Sequence, residues 1–178
     1  MSPVQPVATE VTPASLREVM SRFATGVVVL TVGGENPHGM TANAFSSVSL
    51  DPPTVLCCIG HSAVMHSALT RAGRFGVSVM SAEQEETTRY FADKKRPLGP
   101  AQFERIDWLP GPGTGAPLLS GALAWLECEV TAAHEVGDHS VFLGEVVSAM
   151  NGAAGEGLLF YEGRFRRTGA TTTATGGR

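Results

Sequence analysis

The chain has little of what marks several large protein classes. Only three of its 178 residues are cysteine, and Cys57 and Cys58 are neighbours in the run TVLCCIG, where successive side chains of a strand point to opposite faces. That excludes a disulfide framework, and no CxxC pair is present for zinc or thiol exchange, so all three are read as small buried hydrophobes. Positive charge is also scarce: 13 Lys and Arg against 17 Asp and Glu give a net charge of -4. A nucleic-acid binder needs the opposite balance to displace counterions from phosphates. The one basic run, Lys94-Lys95-Arg96, is short and reads as a solvated helix end. No apolar run approaches the roughly 18 residues of a membrane span. The opening MSPVQPVATE has neither the cationic nor the apolar segment of a leader, so a soluble, cytoplasmic protein is expected.

Familiar catalytic motifs are missing too. GxxxxGK[ST], HExxH and GxSxG are all absent, which removes the usual machinery of phosphoryl transfer, zinc proteolysis and serine hydrolysis. The Gly-rich run GPGTGAP at 111–117 has no strand before it and no helix after it, and its prolines make it a loop. Among five histidines, His61 and His66 are five apart, which does not put them on one helical face. His134 and His139 flank VGD and are placed to face one another across a hairpin. Two such ligands without a third give no metal site.

What is present suits one globular domain. Apolar residues make up 43% of the chain, enough for one substantial core at this length. Residues 1–11 and 169–178 lack periodic apolar content and are expected to fray, leaving 12–168 as the folded unit. Thr12 and Pro13 start a helix, and Leu16, Val19, Met20 and Phe23 form its apolar face, ending near Gly26. β-branched runs predict strands at 27–32 and 54–59, with MTANAFSSVS as a third strand running into a loop. Helices are expected at 62–72 and 83–93, a strand at 75–80 and a loop over 97–117. Two long strands, 123–135 and 140–148, meet across VGD, where Gly-Asp signals a hairpin. Strands dominate without alternating with helices, which favours a closed or Greek-key barrel over a doubly wound sheet.

The segment 41–49, TANAFSSVS, gathers hydroxyl and amide groups directly after a strand. Such groups cap turns, but with exposed backbone N–H groups they also hold a phosphate and the polar edge of a heterocycle. HGMTANAFSSVSLDPPTVLCCIG, then His61-Ser62, then VGDHSVFLGEV and the closing YEGRFRR follow in this order. In order and spacing they resemble the successive signatures of the flavin reductase family of two-component flavin-dependent monooxygenases, over residues 15–167.

That resemblance implies a mostly β protein of the split β-barrel, FMN-binding type with a few short helices, usually a homodimer with flavin near the subunit interface. It implies hydride transfer from NADH, or less commonly NADPH, to FAD or FMN, and release of reduced flavin to a partner monooxygenase. FAD is favoured by likeness to reductases serving secondary metabolism and aromatic hydroxylases. Carried over motif by motif, Thr41, Ala42 and Asn43 line the isoalloxazine edge, and Ser46 and Ser47 meet the flavin phosphate. Cys58 and Gly60 sit beside the ring or ribityl chain, and His61, Ser62 and Ser67 contact ribityl and phosphate. His139 holds the nicotinamide carboxamide as the one residue assigned to catalysis, and the turn of Tyr161, Gly163 and Arg164 contacts the dinucleotide. The histidine after Gly60 departs from the Asp, Lys or Asn of many relatives, which leaves the flavin preference open. Two alternatives remain: a non-catalytic flavin-binding electron carrier, and a pyridoxamine-phosphate-oxidase-like enzyme on a related barrel.

Overall fold

The computed structural model describes residues 10–169, so most of the two segments expected to fray lies outside the described residues. The first helix, α1 (Pro13–Met20), begins where the sequence predicts. Thr12 Oγ1 accepts the Ser15 N–H (3.1 Å), Ser15 Oγ accepts the Thr12 N–H (2.9 Å), and Pro13 occupies a first-turn position whose N–H would lack a partner anyway. It stops at Met20, short of Gly26, and it buries none of its residues. Leu16, Val19, Met20 and Phe23, the predicted apolar face, are each more than half exposed.

The remaining elements are β1 (Thr25–Gly26), β2 (Val28–Val32), β3 (His38–Ala42), β4 (Phe45–Leu50), β5 (Pro53–Gly60), α2 (Val64–Ala72), β6 (Arg74–Val79) and α3 (Glu85–Ala92). After them come β7 (Trp108–Pro110), β8 (Pro117–Leu119), β9 (Ala124–Val136), β10 (His139–Asn151), β11 (Leu158–Tyr161) and β12 (Arg164–Arg167). The described residues are mostly β with three short helices.

Seven strands form one antiparallel sheet in the order β3-β2-β6-β9-β10-β5-β4; β1, β11 and β12 form a second sheet, and β7 with β8 a third. Among the described residues β3 and β4 do not pair with each other, so the expected closed barrel is not formed by backbone ladders. MTANAFSSVS, expected as one strand running into a loop, is two strands, because the chain breaks pairing at Asn43-Ala44 and continues against a different neighbour: β3 pairs with β2, β4 with β5. The 97–117 loop contains a 3-10 turn (Gly99–Phe103) and the β7/β8 hairpin, whose tip is GPGTGAP.

β2 is buried along its whole length because it separates two clusters. Val28, Leu30 and Val32 pack with Ile59, Met65, Leu69, Phe75 and Phe142 beneath α2. Val29 and the preceding Val27 pack with Met80, Phe91, Phe103 and Leu119 beneath α3. Alternation of side chains across a strand produces this division, and the run is apolar except for buried Thr31, whose hydroxyl donates to the Pro117 carbonyl (2.7 Å). The β9/β10 hairpin turns through Gly137-Asp138, with Gly137 at φ +60°, a left-handed conformation that glycine adopts without a Cβ clash.

Candidate functional site

Strand register brings the site together. His139 pairs with Gly60, Ser140 with Ile59 and Val141 with Cys58, and the His61 N–H donates to the Asp138 carbonyl (2.9 Å). The end of β5 and the tip of the β9/β10 hairpin therefore form one wall. The end of β3 and the Asn43-Ala44 break form the facing side, and Lys94, just past α3, completes the rim. These elements enclose an open cleft of about 500 Å³.

Of the residues picked from the sequence, Thr41, Ala42, Asn43, Cys58, Gly60, His61, Ser62 and His139 line this cleft. Ser46 and Ser47 lie beyond it on the exposed edge strand β4, where Ser46 Oγ donates to the Ser47 carbonyl (3.0 Å). Ser67 sits on α2 with its hydroxyl donating to the Val64 carbonyl (3.1 Å). Tyr161, Gly163 and Arg164 belong to the β11/β12 turn, whose Glu162 and Gly163 both take positive φ. A smaller depression of about 140 Å³ joins that hairpin to the site, since Phe160 and Phe165 line it together with Thr41, Ala42 and Asn43.

The polar groups of the cleft have defined roles. Thr41 Oγ1 donates to the Thr88 carbonyl (2.7 Å), tying β3 to α3, and Asn43 Nδ2 donates to Thr25 Oγ1 (3.3 Å), which leaves its carbonyl uncommitted among the described residues. His139 Nδ1 and Asp138 Oδ1 are 2.7 Å apart. The hydrogen bond from His139, helped by the imidazole's charge, holds the exposed Asp138 carboxyl below the usual carboxylate range. With Nδ1–H donated to a carboxylate, a neutral His139 presents the Nε2 lone pair as an acceptor. A Cβ placed on Gly60 would lie 3.5 Å from that Nε2, so any larger side chain would take up the space beside it.

Three sequence expectations need correction here. Cys57 and Cys128 are buried hydrophobes, and burial raises both thiols to about 12. Cys58 instead is half-buried and opens onto the cleft, because adjacent residues of a strand face opposite sides. His134 and His139 do not face one another: the register sets His139 against Val136 and His134 against Val141.

The basic run is not merely a solvated helix end. Arg96 bonds the Gly39 and Asp93 carbonyls, and Lys94 is the one lysine or arginine among the described residues that line the cleft. Sequence reasoning missed Lys94, and its position one residue after Asp93, the C-cap of α3, was the available signal. A larger surface depression of about 690 Å³, between α3 and residues 97–106, lies apart from these groups and gathers none of them.

A family model described as "Flavin reductase like domain" matches residues 20–169. The chain belongs to the flavin reductase family. It is 53% identical over 171 residues to the NADH-dependent FAD reductase of Streptomyces globisporus, covering 94% of both chains. It is 40% identical over 161 residues to an NADH-dependent flavin reductase of Rhodococcus sp, covering 88% and 87% respectively. Among solved structures it is similar to the Streptomyces globisporus NADH:FAD oxidoreductase SgcE6, with TM-score 0.86 and 52% identity over 93% of this chain and 100% of that one. A structure of SgcE6 with NAD and FAD fragments matches at TM-score 0.85 and 50% identity, over 93% and 99% of the chains. BorF, the flavin reductase component of a bacterial two-component tryptophan halogenase, matches at TM-score 0.85 and 48% identity, over 88% and 98%.

Proposed function

We propose that the chain oxidises NADH, reduces FAD and releases the reduced flavin to a separate flavin-dependent monooxygenase. The observation that carries this is the meeting of Asn43, Gly60, His61 and the Asp138–His139 pair in one open cleft of a family member. When both are bound, the nicotinamide supplies a hydride and the flavin ring accepts it, so the protein's task is alignment and electrostatics.

The residues fit that task. The Nε2 lone pair of His139, oriented by Asp138, accepts from the carboxamide NH₂ of the nicotinamide. Thr41, Ala42 and Asn43 offer backbone and amide groups to the ring edge, with Cys58, Gly60 and Ser62 opposite. N–H donors aimed at the ring stabilise the negative charge that a hydride brings, without a general base. Lys94 adds a cation at the rim for a phosphate or for the reduced ring. Ser46, Ser47 and Ser67 are assigned to the flavin phosphate side, and Tyr161, Gly163 and Arg164 to the dinucleotide.

The same proposal takes residues 12–168 as a split-barrel domain of the FMN-binding, Greek-key type, acting as a cytoplasmic homodimer. The exposed apolar face of α1, with Val11 beside it, supports pairing, because a face of this kind is normally covered. No helix among the described residues is long and apolar enough to cross a membrane.

The test is the loss of NADH absorbance with FAD, FMN or riboflavin supplied in turn, repeated with NADPH. Consumption of NADH that depends on added flavin, fastest with FAD, is expected. No flavin-dependent consumption with any pair would leave a non-catalytic flavin carrier. Turnover of pyridoxine phosphate without NADH would indicate oxidase chemistry.

A further inference from the structure

Ser140, second residue of β10, is 2% exposed, and two imidazoles meet its hydroxyl. His61 Nε2 is 3.1 Å and His66 Nε2 2.9 Å from Ser140 Oγ. The two rings meet edge to face with centroids 5.0 Å apart, and His66 rests on Phe142 at 5.3 Å. The three residues come from three elements: the turn after β5, the first turn of α2, and β10. Their spacing of five in sequence does not separate the histidines, because His61 lies outside the helix that carries His66.

A serine hydroxyl has one proton and two lone pairs. Two Nε2–H donors would fill both lone pairs but leave the buried hydroxyl proton with no acceptor among the described residues; with two neutral imidazoles every group is satisfied only if one Nε2–H donates to Oγ while Oγ–H donates to the other Nε2. The tautomers of His61 and His66 are thereby opposite and coupled. If His66 carries its proton on Nε2, His61 must carry its own on Nδ1. The His61 ring lines the cleft, and its Nδ1 has no hydrogen-bond partner among the described residues.

Flavin carbonyl and phosphate oxygens only accept hydrogen bonds, so a bare nitrogen there repels them and an N–H attracts them. We propose that Ser140 and His66 are positioning residues that lock His61 as an Nδ1–H donor toward a flavin oxygen, through the chain His66 Nε2–H, Ser140 Oγ–H, His61 Nε2. This rests on the flavin reductase assignment and adds the device that prepares one of its contacts.

Two measurements on the full chain test it. Long-range ¹H–¹⁵N imidazole spectra of the flavin-free protein are expected to show the proton of His61 on Nδ1 and that of His66 on Nε2, with the His61 signature lost in Ser140→Ala. The reverse tautomers, or an unchanged His61 spectrum in that variant, overturn the proposal. Calorimetric titration with FAD is expected to show about tenfold weaker binding for Ser140→Ala and His66→Ala, the scale of one lost hydrogen bond. His66→Gln, which keeps an N–H donor, should recover most of it. His61→Ala combined with Ser140→Ala should bind no worse than His61→Ala alone, since both remove the same contact. Additive losses, or no loss in Ser140→Ala, overturn it. Riboflavin in place of FAD locates the oxygen: a penalty that disappears assigns it to a phosphate, and one that persists assigns it to the ring or ribityl chain. Wild-type protein that oxidises NADH with flavin while these variants bind FAD normally defeats this inference alone. Absence of flavin-dependent NADH oxidation in the wild type defeats the proposed function.

Discussion

Acid should weaken this protein through one buried histidine. His38 opens β3 at 5% exposure, with Gln102 Nε2 3.1 Å from its Nδ1 and Arg96 Nη2 3.2 Å from its Nε2. The Gln102 amide is oriented by the Gly39 N–H and Arg96 Nε–H, which both donate to its Oε1 (3.2 and 3.3 Å). Both groups facing the ring are therefore N–H donors, and an added proton finds no acceptor. Burial, reinforced by the Arg96 charge, lowers the His38 pKa from 6.5 to about 4. The unfolded chain thus takes up a proton near pH 6.5 that the folded chain refuses until about pH 4. The contribution of neutral His38 to stability is whole above about pH 6.5, drains away as the pH falls toward 4, and changes no further below. The gap between 6.5 and about 4, at about 1.4 kcal/mol per unit, sets a ceiling of about 3 kcal/mol. That is a large share of the roughly 5–15 kcal/mol that holds a domain together. Urea unfolding of wild type and His38→Gln at pH 7.5, 6.0, 5.0 and 4.5 measures it. The variant should be the less stable protein at pH 7.5 and should lose about 2–3 kcal/mol less than wild type on acidification. Parallel pH curves for the two proteins would refute this account of His38.

Four further outcomes follow from the geometry. His139→Ala should raise the KM for NADH about tenfold, the effect of one lost hydrogen bond, with a smaller fall in kcat; unchanged NADH parameters in steady-state assays would remove His139 from the site. Lys94→Ala should raise the KM for FAD several-fold and flatten its dependence on salt, and an equal salt slope in both proteins would count against a rim cation. Glu127 is fully buried and accepts from the Gly113 and Thr114 N–H groups (3.0 and 2.7 Å) and from Thr114 Oγ1 (2.7 Å), so Glu127→Gln should cost about 1–3 kcal/mol in urea unfolding. A loss below about 0.5 kcal/mol would show that the carboxylate does not anchor the GPGTGAP loop. Phe23→Asp should halve the mass seen by light scattering if the α1 face joins two copies, and an unchanged dimer would place the interface elsewhere.

The parts legible in the sequence are those whose signal is local. The β9/β10 hairpin was readable because two long apolar runs flank Gly-Asp, and its strands lie within a few residues of their expected limits. β2 was readable from VVVL, and α2 from an apolar spacing that its own turn dictates. The break at Asn43-Ala44 was not, because both flanking segments are extended and only the change of pairing partner separates them. The β7/β8 hairpin was hidden by Pro110 and Pro117, which face each other where the loop begins and ends, carry no strand propensity and are tolerated because the pair is short. Within the site, the motifs named eight residues that line the cleft and six that lie outside it, while Lys94, the Arg96–Gln102–His38 cluster and the joining of His61 to His66 depend on contacts between distant segments. No local pattern encodes such contacts. The α1 face is a different case: its periodicity was real, yet among the described residues nothing buries it.

The cleft's polarity bears on why a flavin would leave it. Among the described residues its walls are strand ends, a hairpin tip and small polar side chains, with a single lysine at the rim and no arginine to clamp a pyrophosphate from two sides. Neutral donors of this kind contribute on the order of 1 kcal/mol each after exchange with water, and they discriminate between oxidised and reduced rings mainly through charge. A donor whose direction is fixed before binding adds to that discrimination without adding buried surface. His61, held by Ser140, and His139, held by Asp138, are both donors or acceptors of fixed direction on an otherwise exposed wall. On the proposed function, what these described residues contribute to alignment is preorganised hydrogen bonds, the kind of contact that allows hydride transfer and release to proceed from one site.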